Sequence, residues 1–76
     1  MNNPRRKALN KIKDQIEDLK MALEELLEEE QEYLDNIPEN LQSSEKYEKA
    51  ENAVYEMEDA INNLDSVIEN IDNAIE

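Results

Sequence analysis

Apolar residues recur along most of this chain at alternating steps of three and four. Leu9, Ile12, Ile16, Leu19, Leu23 and Leu26 form the first series. That spacing is the a/d stripe of a heptad, and it predicts an amphipathic α-helix. Beyond it Glu30 takes an a position and Tyr33 a d position, while Leu27 and Leu34 move the apolar face to e. A straight helix drifts by about 20° per heptad against a 3.5-residue repeat, so this shift predicts weak supercoiling. Asn3-Pro4 marks the start: asparagine caps, and a proline N–H is not needed in the first turn.

The second series is longer. Tyr47, Ala50, Val54, Met57, Ile61, Leu64, Ile68, Ile71 and Ile75 keep the alternation almost to the last residue. Its g positions are Ala53, Ala60, Val67 and Ala74; its e positions are Glu51, Glu58, Asp65 and Asp72. A two-stranded coiled coil needs only a and d. An a/d/g stripe is wider and touches two neighbours, and alanines on its flank let backbones approach closely.

Between the series, Asn36 and Pro38 form turns, and Ile37 before proline is pushed out of the helical region. Ser43 or Ser44 is placed to cap the second helix, and a single helical turn can begin at Pro38. Ile37 and Leu41 are expected to fold inward and close the hairpin end. The expected organisation is one domain, 1–76: helix 1 over about 4–34, a turn over 35–43 and helix 2 over about 44–75. At roughly 1.5 Å per residue both helices are about 45 Å long, and a short connection makes them antiparallel.

The fold class expected is therefore all-α, an antiparallel helical hairpin that dimerises into a four-helix bundle. The oligomer core expected is Leu9, Ile12, Ile16, Leu19, Leu23 and Leu26 with Val54, Met57, Ile61, Leu64, Ile68 and Ile71.

Composition sharpens this. A chain of 76 residues rarely holds itself together without disulfides, metal or a partner chain. It has no Cys and no His, so disulfides, thiolate sites and imidazole ligands are absent, and self-association is the remaining means of building a core. It has no Gly, which rules out standard phosphate loops, nucleophile elbows and EF-hand turns. Nothing pairs a nucleophile with a base at a recognisable spacing, so no enzyme, catalytic residue or cofactor is expected. Di-metal carboxylate bundles want Glu-x-x-His pairs, and Glu30 is the only acidic residue on the stripe, so no metal site is expected. No apolar run reaches membrane-span length and no signal-peptide core follows the basic start; the expected location is the cytosol.

The net charge is −13 and it is unevenly spread. Residues 1–20 carry six basic and three acidic side chains; residues 21–76 carry two basic and eighteen acidic ones. Such a body repels nucleic acid and anionic membrane and attracts a basic protein surface. Arg5, Arg6, Lys7, Lys11 and Lys13 would lie beside the end of helix 2, near Asp65, Glu69, Asp72 and Glu76, where cations suit the helix dipole.

The stretch Glu32-Tyr33-Leu34-Asp35-Asn36-Ile37-Pro38-Glu39-Asn40-Leu41-Gln42-Ser43-Ser44-Glu45 resembles a segment of small acidic helical proteins of phages and prophages of Gram-positive bacteria. The resemblance covers about the last two-thirds of the chain. It implies a phage context and hence a host-cell cytosol, and it brings no defined activity and no catalytic residue.

Candidate partner-binding positions are Glu25, Glu28 and Glu32 in the acidic run, Asn36, Glu39 and Gln42 in the turn, and Tyr55; Tyr55 and Met21 are both expected to face outward. An acidic run is most often a solvated helix face, and this turn serves as a connector whether or not it also recognises a partner. Tyrosine is enriched at interface hot spots. Four functions stay open: an interaction protein that binds and inhibits a host protein of antiphage defence or DNA metabolism; an acidic mimic of nucleic acid; a structural assembly module; and a nucleotide sponge using Arg5, Arg6 and Lys7 at a helix N-terminus.

Overall fold

The computed structural model describes all 76 residues. Helix α1 spans Asn3–Asp35, a 3-10 turn follows at Glu39–Leu41, and α2 spans Glu45–Ile75. There are no strands. The two helices run antiparallel as a rod of 59 × 15 × 13 Å.

The start of α1 lies one residue earlier than the sequence suggests. Asn2, not Asn3, is the cap, and its Oδ1 accepts from the Arg5 N–H at 2.9 Å. Asn3 and Pro4 then fill the first two helical positions, where no N–H partner is required. Asn3 takes a different duty, accepting from the Arg6 guanidinium at 3.1 Å.

At the far end Asn36 terminates α1, with its N–H donated to the Glu32 carbonyl. The 3-10 turn begins after Pro38, as its fixed φ allows. Of the two serines, Ser44 caps α2: its Oγ accepts from the Tyr47 N–H at 3.2 Å and donates to the Leu41 carbonyl at 2.6 Å. Glu45 and Glu48 in the first turn suit the positive end of the helix. Loss of such a cap costs about 1 kcal/mol.

Only Leu34, Ala50 and Val54 are buried, and Leu27, Ile37 and Tyr47 pack around them. This small cluster sits next to the turn. Ile37 folds inward as expected; Leu41 does not, and is 49 % exposed. One 3-10 turn cannot reach back over the end of the seam once Ile37 has filled it.

Along the rest of the rod α2 presents its a and d residues to α1. Met57, Ile61, Leu64, Ile68 and Ile71 are all half-buried there. On α1 the expected a/d stripe is divided. Leu9, Ile16 and Leu23 are half-buried in the seam, together with Lys13, Lys20 and Leu27. Ile12, Leu19 and Leu26 are exposed. The seam on α1 thus runs through a and e, where Lys13 and Lys20 reach acidic partners on α2 and Leu27 and Leu34 pack in the cluster beside the turn.

Candidate interaction surface

Two ion pairs fix how the helices are aligned. Lys13 Nζ meets Asp72 Oδ1 at 2.6 Å, and Lys20 Nζ pairs with Asp65 Oδ1. A step of seven residues forward on α1 is a step of seven back on α2. Near the open end the Arg6 Nε donates to the Ile75 carbonyl at 3.1 Å, satisfying a terminal carbonyl of α2. So Arg6 and Lys13 have the intramolecular role the charge pattern suggests, and Lys20 has one that the pattern did not single out. Arg5, Lys7 and Lys11 form no ion pair, nor do Glu69 and Glu76.

The Asp72 carboxylate hydrogen-bonded to Lys13 raises the pKa of that amine above its ordinary 10.5, against a smaller opposing effect of desolvation. Asp65 raises that of Lys20 in the same way. A raised amine pKa stabilises the folded state fully below the unfolded value and ceases to do so as pH rises through the folded value. The expected result is a fall in melting temperature above pH 10.5 that is smaller in a Lys13→Met, Lys20→Met variant. Equal alkaline losses in both proteins would show that these pairs contribute nothing.

The lysines stand at one edge of the seam. Ile12 and Leu19 each precede a lysine by one residue, about 100° back around the helix, which puts them on the opposite edge. On α2 the a and d residues separate the row of Asp65 and Asp72 from the row of Ala53, Ala60, Val67 and Ala74. Both apolar rows therefore occupy one face of the rod, away from the ion pairs. Ile12, Leu19, Leu26 and Tyr33 are 46 %, 67 %, 54 % and 39 % exposed. They recur every seven residues, in a chain that is 38 % charged; the row is free of charge from Ile12 to Leu26, while Glu29 and Glu30 lie between Leu26 and Tyr33 and Lys46 stands over the Tyr33 ring. Single exposed apolar residues need no explanation, whereas a row of them is the kind of surface on which association is tested.

The other faces are acidic. Glu25, Glu28 and Glu32 are exposed at c and f positions, pointing away from α2. Residues 21–64 hold fourteen acidic and two basic residues, a net −12; the open half, 1–20 with 65–76, holds seven and six, a net −1. Asn36, Glu39, Gln42 and Tyr55 are also exposed, as is Met21. Tyr55 lies on the ion-pair side, flanked by Glu51 and Glu58, so it belongs to the acidic exterior and not to the apolar face.

A cleft of about 320 Å³ at the turn is lined by Tyr33, Ile37, Pro38, Leu41 and Lys46, among others. Lys46 Nζ lies 5.7 Å from the centre of the Tyr33 ring, within cation–π range. The sequence reading marked the turn but missed Tyr33 and Lys46 as its neighbours, since only the antiparallel return of the chain brings them together. No cluster of three or more acidic side chains is arranged to hold a metal ion. No helix is long and apolar enough to cross a membrane.

Compared with protein-family models, with curated proteins and with solved structures, the chain finds no match in any of the three.

Proposed function

We propose that this chain is a non-enzymatic interaction protein: two hairpins pair through their apolar faces into a four-helix bundle, and the acidic exterior binds and inhibits a protein with a basic surface. The observation that carries this reading is the separation of the rod into one predominantly apolar face, free of charge from Ile12 to Leu26, and charged, mainly acidic remaining faces. The small acidic helical phage proteins that the turn segment resembles supply the biological setting, with a host protein in the cytosol as target.

The test is a capture from Gram-positive bacterial lysate with the wild-type chain and with a Glu25→Gln, Glu28→Gln, Glu32→Gln variant. A partner held at about 50 mM salt, released by about 500 mM, and lost in the variant is the expected result, because exposed charges are screened beyond a Debye length. A lysate that reproducibly yields no partner refutes it. A second reading, mimicry of nucleic acid, is favoured by the concentration of −12 in the turn half. It requires in addition that duplex DNA displace the captured protein.

A further inference from the structure

The apolar face has two rows of different size, and their alignment restricts how it is covered. The register of the ion pairs places Ile12 level with Ala74, Leu19 with Val67, Leu26 with Ala60 and Tyr33 with Ala53, each to within about one residue rise of 1.5 Å. The midpoint of the large row, between Leu19 and Leu26, thus lies level with the midpoint of the small row, between Ala60 and Val67. A single two-fold axis perpendicular to the helices passes through both midpoints. An axis parallel to the helices also superposes the rows, laying large on small.

Charge separates the two arrangements. A parallel axis stacks one −12 half directly on the other and one −1 half on the other. A perpendicular axis lays each −12 half over the near-neutral half of its partner, which increases the separation of the strongly acidic ends. Helix directions do not discriminate, because facing helices are antiparallel in both. Area supports a second copy as the occupant: a face of 59 by 15 Å covers roughly 900 Å² per copy, against about 800 Å² per partner in a standard interface.

We propose that a second copy of this chain covers the face about a two-fold axis perpendicular to the helices. The proposal rests on the hairpin pairing advanced above. Helix α1 packs on α1, with Leu19 of one copy against Leu26 of the other and Ile12 against Tyr33. The small row brings α2 close to α2. The two acidic turns then lie at opposite ends of the bundle, so each dimer presents two separate copies of the acidic surface, pointing in opposite directions.

Because the chain has no cysteine, single replacements report the contact directly. Leu19→Cys and Leu26→Cys proteins are mixed, refolded together and mildly oxidised. The mixture is expected to form a linked dimer, while each variant alone stays unlinked. A mixture of Leu19→Cys with Val67→Cys links at least about tenfold more slowly, since a disulfide needs its Cβ atoms near 4 Å. Ile12→Cys with Tyr33→Cys repeats the measurement nearer the bundle ends, should the central pair disturb folding. Linkage through Leu19 and Val67 instead would overturn the perpendicular axis and keep the dimer. Unlinked mixtures of a wild-type dimer would overturn the contact. Light scattering that gives 8.9 kDa for the wild type at every salt concentration would remove the pairing itself. None of these outcomes depends on capture of an acidic-surface partner, and only the monomer result would also remove the pairing in the proposed function; the linkage results test the axis alone.

Discussion

Replacing Leu19 and Leu26 together by glutamate is expected to convert the protein to a monomer and to remove most of its helical unfolding transition. Both side chains are more than half exposed on a single hairpin. Were the hairpin self-sufficient, two such surface changes would each move stability by no more than about 0.5 kcal/mol. In the paired bundle proposed above they would be interior. Each loses roughly 1.5–3 kcal/mol of apolar burial per copy, and the four carboxylates of the dimer are forced together in the dry layer. Domains of this size rarely have more than about 3–5 kcal/mol available, so the paired state does not survive. The measurement is circular dichroism melting at several protein concentrations. Wild type should melt higher as concentration rises, by mass action; the variant should melt early and without concentration dependence. A variant that melts like wild type would show that the exposed row is only a surface.

The second large effect is expected at the turn. Leu34→Ala should cost about 2–5 kcal/mol, the range for a buried leucine replaced by alanine. Leu34 is one of three buried residues, and Ala50 and Val54 are too short to close the gap it would leave. The loss should appear first as faster amide exchange over the opening turns of α2, because the small cluster is what joins the two helices there. Leu41→Ala is the control. Leu41 is exposed despite its position in the turn, and its loss should cost no more than about 0.5 kcal/mol. Equal effects of the two changes would mean that the cluster does not hold the turn end.

Much of this architecture is legible in the primary structure. The second helix announces itself through four unbroken heptads, and Ser44, Asn36 and Pro38 mark the turn by chemistry that is local in sequence. Capping was predicted at Asn3 and found at Asn2, since two adjacent asparagines offer the same capping side chain and Asn3 is itself the first helical residue. Leu41 was expected inward because leucine in a closing turn usually is; the short 3-10 turn holds it off the seam.

The division of the α1 stripe was not legible from one helix alone. Leu9, Ile12, Ile16 and Leu19 have identical a/d credentials, yet alternate members face the partner helix and the open side. What separates them is a pairing between distant segments, Lys13 with Asp72 and Lys20 with Asp65. The signal was present as two sets of opposite charges, each repeating at seven, but reading it requires the antiparallel register first. The same holds for the cleft between Tyr33 and Lys46.

The sequence by itself thus determined the helices, their lengths, the turn, the antiparallel topology and the acidic exterior, because periodicity, caps and composition act over a few residues at a time. The tertiary structure alone decided which side of α1 meets α2 and which apolar row is left uncovered. That choice follows from side chains far apart in the chain, where the reach of two lysines to two aspartates turns the helix and leaves Ile12, Leu19, Leu26 and Tyr33 facing outward.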